Sequence, residues 1–229
     1  QYHPEISDVL ARELKNLLPD SKSEKSILVV GLGNRAVTAD SLGPHVVDNL
    51  LITRHIVKQY GNAAYDKEKM NLISSIEPGV MAKTGMETAE IIRGVVDETK
   101  PDVRLVIDAL AARSTKRLNR TIQITNTGIQ PGSGVNNHRS ELTRNTLNVP
   151  VIAIGIPTVV DAATIVSDAF AKYSKSDDVM IFDKYENFYR HALADLRDMY
   201  MTGKDIDAVI KRVSFTISEG INMALELEE

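Results

Sequence analysis

Cysteine is absent from the chain of 229 residues. Its absence excludes disulfide bonds, thiolate catalysis and zinc sites built on cysteine, and it fits a reducing compartment. Lysine and arginine are not gathered into a run and the net charge is −4, so nothing indicates nucleic-acid binding. No apolar stretch is long enough to span a bilayer and no signal peptide is recognisable. We therefore expect a cytoplasmic protein without a membrane partner.

The composition that remains is ordinary for a globular protein, with 43% apolar and 25% charged residues. A chain of this length and composition is predicted to form a single domain with a real core over residues 1–229. It begins with Gln1 rather than methionine, so we expect that an N-terminal piece is missing.

The chain is organised around residues 26–44, SILVVGLGNRAVTADSLGP. The apolar run at 27–30 is bounded by glycines and predicts a buried strand. Pro44 is typical of the first position of a helix, because its missing N–H needs no partner there. The stretch therefore predicts a strand, a loop and a helix, with Asp40 at the edge where open α/β sheets place their ligands.

The rest of the chain continues to alternate strands with helices. Further strands are predicted at 71–76, 103–107, 121–125 and 151–154, and helices at 3–18, 44–60, 84–99, 139–147, 159–173 and from about 205 to 227. This alternation predicts a mostly parallel five-stranded sheet covered on both faces. The link from Asp108 to 121–125 is short for a crossover helix, so this strand is expected to be antiparallel. We expect an N-terminal helix (1–20), an α/β core (26–173) and a C-terminal helical appendage (174–229).

Gly31, Gly33 and Ala36 satisfy the dinucleotide fingerprint G-x-G-x-x-A. That fingerprint needs a helix that starts at the second glycine, whereas Pro44 postpones the helix by more than a turn. Nucleotide binding is therefore disfavoured.

Two aspartates, Asp40 and Asp108, follow strands assigned to the same sheet. If these strands are neighbours, the two carboxylates lie in one crevice, where they share a proton and supply an acid and a base. The alternative is that Asp40 caps the following helix and Asp108 satisfies a turn.

Glu77 ends the second strand and is a third candidate carboxylate for this crevice. A carboxylate cluster with a histidine could hold a divalent metal, but His45, His55, His138 and His191 are scattered without ligand spacing. We therefore predict no metal.

A loop rich in Gly and Pro, GIQPGSGVNNH, spans residues 128–138. Its amides at Gly132, Ser133 and Gly134 could converge on a peptide carbonyl or a carboxylate, and the alternative is a flexible connector. Thr158, Asp161 and Ser167 are interpreted as capping and packing residues.

Several motifs in order resemble one known family. They are GLGN and VTADSLGP, DNLLITRH, EPGVMAKTGMET, IDALAARS, TIQITNTGIQPGSGV, PVIAIGIPTVVDAATIVSD and, at the C-terminus, MTGKDIDAVIKRVSFTISEGINMAL. Together they resemble the germination protease, or spore protease, of endospore-forming bacteria. One departure is Gln130, which precedes PGSGV where the family often has a histidine.

The resemblance implies an endopeptidase that degrades small acid-soluble spore proteins in the forespore or spore core during germination. It further implies a self-processing zymogen, a homotetramer and no cofactor, with Asp40 and Asp108 as the catalytic pair. The implied fold is the three-layer α/β/α sandwich of hydrogenase-maturation proteases, with one antiparallel strand and with the first and third strands adjacent.

The resulting hypothesis is a peptidase in which Asp40 and Asp108 activate a water and protonate the leaving amine. Asn34 and the 132–134 amides are candidates to polarise the scissile carbonyl. Two alternatives stay open, a metal-assisted peptidase of the hydrogenase-maturation type and a non-catalytic sporulation protein that binds through this fold.

Overall fold

The computed structural model describes residues 2–19, 24–61, 64, 69–129, 142–143, 149–173, 196 and 199–226. Several predictions fall largely outside these residues: most of the helix at 139–147, most of the loop at 128–138 and nearly all of the segment 174–198. At the described part of the first of these, Leu142 forms an antiparallel β-bridge with Ile129, so the helix prediction is wrong at that residue.

Seven helices and six strands lie in the described part of the chain. The helices are α1 (Pro4–Leu17), α2 (Leu42–Val47), α3 (Arg54–Tyr60), α4 (Met81–Thr84), α5 (Thr88–Thr99), α6 (Ala162–Tyr173) and α7 (Ile206–Leu225). The strands are β1 (Ser26–Gly31), β2 (Leu72–Ile76), β3 (Val103–Ala112), β4 (Gln123–Thr125), β5 (Val151–Asp161) and β6 (Tyr200–Met201). None of these helices combines the length and hydrophobicity that crossing a bilayer requires.

The strands form one sheet in the order β2-β1-β3-β5-β4. β1 pairs in parallel with both β2 and β3, and β3 pairs in parallel with β5. β4 is antiparallel to β5, which confirms the predicted direction of that strand. The pairing of β1 with β3 confirms that the first and third strands are adjacent. The sheet has six strands rather than five, because the short β6 also pairs antiparallel with β5.

Side chains from the two faces of the sheet enter two separate cores, as the alternation of a strand requires. Ile27 and Val29 of β1 belong to a core shared with α1, α2 and α7, whereas Leu28 and Val30 belong to a core shared with α5. Helices therefore cover both faces, and the predicted three-layer α/β/α sandwich is confirmed.

The C-terminal helix α7 is part of the larger core. Its Ile210, Ile217 and Ile221 are buried in the same cluster as Leu10 and Leu14 of α1. Packing of α7 therefore ties the C-terminal segment to the sheet. The predicted boundary at residue 174 stays a prediction, since residues 174–195 lie outside the described part.

The predicted helix at 44–60 is wrong as a single helix. α2 ends at Val47 and α3 begins at Arg54. Between them, the amide of Leu51 donates to Asn222 Oδ1 at 2.9 Å, and Asn222 Nδ2 donates to Asn49 O at 3.2 Å. Because an α7 side chain binds these backbone groups, the chain breaks where the local apolar pattern would continue a helix.

Two strands are longer than predicted. β3 continues past Asp108 to Ala112, so Asp108 lies inside the strand instead of after it. β5 includes residues 159–161, which were predicted to open a helix. Each extension is stabilised by pairing with the other strand, through a register shift after Leu110.

The start of α5 also differs from the prediction. The capping box is formed by Glu87 and Glu90, not by Thr84 and Glu87. Thr84 instead ends the short helix α4, and Gly85 follows it with a φ of 71°. The sequence pattern favours Thr84, because a capping box normally begins with Ser or Thr, and a glutamate at the N-cap does not match it.

Candidate active site

Residues 32–41, named here the glycine loop, leave the carboxyl end of β1 and fold back on themselves. The amide of Leu32 donates to Ile107 O of β3 at 2.8 Å, and the amide of Asn34 donates to Asp40 O at 3.0 Å. Gly33 has a φ of 120°, and a Cβ at this position would lie 1.9 Å from Asp40 O. Only glycine therefore allows the backbone of Asp40 to lie against the end of β1.

The other glycines of this stretch serve close packing of α2 against β1. A Cβ on Gly31 would lie 2.4 Å from Gly43 O, and a Cβ on Gly43 would lie 2.3 Å from Leu32 O. Of the two glycines in the dinucleotide fingerprint, Gly31 is thus explained by helix–strand contact and Gly33 by the approach of the Asp40 backbone.

Asp40 ends a 3₁₀ turn, Thr38–Asp40, that contacts β3, β5 and α7. Thr158 of β5 donates its hydroxyl to Ala39 O at 2.6 Å and so fixes the residue before Asp40. A Cβ added to Gly33 would also lie 3.3 Å from the Oδ1 atom of Asp40. The carboxyl group of Asp40 therefore lies at the end of β1.

Asp108 reaches the same place from β3. It is 4% exposed, it stands opposite Gly155 of β5, and it follows Ile107, which is aligned with Gly31 at the end of β1. Both aspartates thus lie at the carboxyl end of β1, although Asp108 gets there from within a strand. Their catalytic role stays a prediction.

The glycine loop also carries Arg35, whose guanidinium binds two carboxylates. Its Nε and Nη2 donate to Glu77, with Nη2 at 2.6 Å from Oε2. Its Nη1 and Nη2 donate to Asp48 at 2.8 and 2.9 Å, and Nη2 also donates to Pro44 O at 3.3 Å. The hydrogen bonds that Arg35 donates to Asp48 and Glu77 raise the pKa of Arg35, and the bonds from Arg35 lower the pKa of Asp48. We name this set of residues the arginine fork.

The remaining candidate residues are distributed as follows. Asn34 accepts the amide of Ala36 on its Oδ1 at 3.1 Å, a local turn within the glycine loop. Glu77 is engaged by Arg35. His55 is exposed on α3, and His45 lies on α2 with Nδ1 at 3.8 Å from Asp48 Oδ2. Gly132, Ser133, Gly134, His138 and His191 lie outside the described residues.

Among the described residues, no group of three or more histidines and carboxylates is arranged to hold a metal ion.

Asp161 accepts hydrogen bonds from the amide and the hydroxyl of Thr164, both at 2.7 Å, in the first turn of α6. Its interpretation as a capping residue is confirmed.

A groove of about 800 Å³ lies between the glycine loop and α7. Thr38, Ser41 and His45 line one wall, and Lys211 and Phe215 of α7 line the other. Thr38 and Ser41 lie close to Asp40 in the chain, but neither Asp40 nor Asp108 is among the residues that line the groove.

The site contains two residues that sequence reasoning missed, Arg35 and Thr158. A lone arginine in a loop and a threonine in an apolar strand carry no motif. Thr158 was interpreted as a packing residue, and only its bond to Ala39 O connects it to Asp40.

Comparison with known proteins decides the family. The family model described as germination protease matches residues 1–176. The chain belongs to the germination protease family.

Relatives agree with this assignment along most of the chain. A germination protease from Clostridium tetani is 46% identical over 242 residues, which covers 99% of this chain and 74% of the relative. One from Caldanaerobacter subterraneus is 43% identical over 240 residues, covering 97% and 74% respectively. One from a Geobacillus strain is 54% identical over 165 residues, covering 71% and 44%. Membership of the germination protease family makes this chain a protease of spore germination.

Among solved structures, a [NiFe] hydrogenase maturation protease, HycI, from Thermococcus kodakarensis matches with a TM-score of 0.42 and 14% identity. The match covers 91% of this chain and 98% of that one.

Proposed function

We propose that this protein is an endopeptidase that cleaves small acid-soluble spore proteins with a water activated between Asp40 and Asp108. One observation supports it most directly. The positive φ of Gly33 and the bond from Asn34 to Asp40 O bring Asp40 to the end of β1, beside the strand that carries the buried Asp108. Neither residue needs a metal or a covalent intermediate for the chemistry proposed.

The mechanism follows from the behaviour of two close carboxyl groups. Both cannot ionise freely, so one holds a proton while the other is a carboxylate. The carboxylate takes a proton from water as the water attacks the peptide carbonyl, and the protonated partner supports the carbonyl oxygen and later protonates the leaving amine. The polypeptide is placed in the groove that Thr38 and Ser41 line, since these two residues lie close to Asp40 in the chain.

The test is cleavage of a purified small acid-soluble spore protein, followed by mass spectrometry. Asp40→Asn and Asp108→Asn are isosteric changes, and each is expected to lower kcat by about 10²–10⁴-fold, the range for a lost acid or base. Asp102→Asn is the matched control, because Asp102 accepts the amide of Ser26 at 2.8 Å at the opposite end of β3. A folded Asp40→Asn or Asp108→Asn variant that cleaves at the normal rate removes that residue from the mechanism. Loss of activity on chelation, restored by one metal, favours the metal-assisted alternative instead.

Three further expectations belong to the same proposal and rest on the family resemblance. The protein is made as a zymogen that removes its own N-terminal segment, assembles as a homotetramer and acts in the forespore or spore core. N-terminal sequencing before and after activation, light scattering of the purified protein and a fluorescent fusion in sporulating cells test them one by one.

A further inference from the structure

Arg35 connects the glycine loop to two other elements. Glu77 directly follows β2, which is the strand paired with β1. Asp48 directly follows α2 as its C-cap, and Pro44 O lies within α2. The loop that carries Asp40 is therefore bound at its middle to the end of a neighbouring strand and to the helix that follows Asp40.

The geometry of these bonds restrains direction as well as distance. A guanidinium is planar and donates in a fixed fork, so two bidentate carboxylates determine its orientation. The pairs are open to water, with the Arg35 and Glu77 side chains 44% and 26% exposed. Exposed ion pairs contribute little to global stability. The arginine fork therefore contributes mainly to the orientation of the glycine loop and little to the free energy of unfolding.

We propose that Arg35 is a positioning residue for Asp40. By fastening the glycine loop to Glu77 and Asp48, it keeps the carboxyl group of Asp40 directed at the end of β1, where Asp108 lies. The inference rests on the proposed function, because positioning affects the rate only if the two aspartates carry out the reaction. It also reassigns Glu77, the predicted third carboxylate of the crevice, to holding Arg35.

The first test compares Arg35→Gln with Arg35→Lys on a purified small acid-soluble spore protein. Arg35→Gln is expected to lower kcat by about 100-fold, the scale of a small misplacement of a catalytic group. Arg35 also lines the groove, so the fall in kcat is the deciding readout, and positioning by Arg35 predicts a change in KM of less than about threefold. Arg35→Lys keeps the positive charge but loses the planar set of guanidinium donors, so its kcat is expected to be nearly as low as that of Arg35→Gln. Full activity in Arg35→Lys would show that charge alone matters and would overturn positioning by the fork.

The second test asks whether Glu77 acts through Arg35. Glu77→Gln should lower kcat in the wild-type background and have little further effect in Arg35→Gln, because residues that act as a unit are not additive. Equal losses from Glu77→Gln in both backgrounds would make Glu77 an independent participant and would contradict the inference.

The dependence of kcat on pH should change if Arg35 positions Asp40, and should stay the same if Arg35 only stabilises the fold. Two aspartates that are held close titrate as a coupled pair with separated apparent pKa values, and loosening the pair brings these values together. The bell-shaped dependence of kcat on pH should therefore narrow in Arg35→Lys. An unchanged profile in a variant with lowered kcat would count against positioning.

Arg12→Gln is the matched control, since Arg12 lies 3.8 Å from Glu13 in an exposed pair on α1. It should leave kcat unchanged. If Arg35→Gln does not fold, Arg35→Lys and Glu77→Gln decide the matter. A folded Arg35→Gln variant with normal kcat, or with a raised KM alone, overturns the inference.

An independent measurement separates this inference from the proposed function. Amide hydrogen exchange at Asn34, whose N–H is bonded to Asp40 O, should be faster in Arg35→Gln than in the wild type. If Asp40→Asn retains activity, the two-aspartate mechanism fails while faster exchange still supports the restraint on the loop. Unchanged exchange would overturn the restraint whatever the enzymology shows.

Discussion

An arginine lies at each end of the sheet, and the two side chains differ in exposure and in hydrogen bonding. At the carboxyl end, Arg35 is 44% exposed and donates to two carboxylates and a carbonyl. At the amino end, Arg104 of β3 is 0% exposed, and its Nη2 donates to Val149 O at 2.6 Å. Among the described residues, Nε and Nη1 of Arg104 have no hydrogen-bond partner. Burial lowers the pKa of Arg104 to about 10, whereas pairing raises the pKa of Arg35.

The difference indicates what each end contributes to the protein. The Arg104 side chain is among the largest fully buried ones, so it supplies volume to the packed interior, while two of its nitrogens meet no acceptor within the described part of the chain. Arg35 supplies little buried volume and uses its donors to orient a loop. The amino end should therefore respond to substitution through stability, and the carboxyl end through activity.

The largest expected effect on stability comes from Arg104→Ala. Removing a large buried side chain leaves a cavity, and we expect a loss of about 2–5 kcal/mol in the free energy of unfolding. Arg104→Met restores most of the volume without unpaired donors, so it should be neutral or stabilising by up to about 3 kcal/mol. Urea denaturation measures both.

Arg35→Ala is the counterpart at the other end and should lower the free energy of unfolding by no more than about 1 kcal/mol per ion pair. If Arg35→Ala proves more destabilising than Arg104→Ala, the contrast between the two ends is wrong.

Gly33→Ala should affect both stability and activity. Its φ of 120° and the closeness of Asp40 O mean that the backbone must shift, which costs about 1–3 kcal/mol. Because the shift moves Asp40, kcat should fall by about 100-fold. Gly85→Ala is the control, since its φ is 71° with nothing within 4 Å of an added Cβ. A similar loss of activity in Gly85→Ala would mean that backbone strain anywhere impairs the protein.

Thr158→Val tests the support of the glycine loop from β5. It removes the hydroxyl that donates to Ala39 O, and we expect about 1 kcal/mol of destabilisation with a kcat lowered a few-fold. Thr99→Val removes a comparable bond to Val95 O in α5 and should cost similar stability without changing kcat. Equal kcat losses in the two variants would separate Thr158 from the site.

The smallest expected effect is on the stability of the protein at acidic pH. The pKa of Asp48 in the folded protein lies below its ordinary value of 3.8 because of Arg35. The stabilisation from this pair is therefore present above pH 3.8 and is lost as pH falls through the folded pKa. The gap in unfolding free energy between the wild type and Arg35→Gln should narrow between pH 6 and pH 3. A gap that stays constant would show that the ion pair adds nothing to stability.

Elements with strong local patterns could be predicted from the sequence. The apolar run at 27–30 predicted β1, and the spacing of Leu10 and Leu14 predicted a helix that spans Pro4–Leu17 in the structure. The antiparallel direction of β4 followed from the short link after Asp108. Patterns that tertiary contacts override could not be predicted. Asn222 of α7 breaks the helix near Leu51, and β5 extends β3 past a charged residue.

The candidate site divides in the same way. Asp40 could be found because it lies in the glycine-containing loop that follows a predicted strand. Asp108 could be found because it follows another predicted strand of the same sheet. Arg35, Thr158 and the pairing of Glu77 could not, because their roles depend on partners between 9 and 119 residues away in the chain.

The sequence by itself determined five of the six strands, the first and last helices and the resemblance to the family, since these depend on local periodicity and on ordered motifs. Only the tertiary structure decided that Asp108 lies within a strand, that Gly33 admits the backbone of Asp40, and that Arg35 is bound by Glu77 and Asp48. The physical reason is that hydrogen bonds and close packing are made between atoms near in space, and a local pattern carries no information about a distant partner.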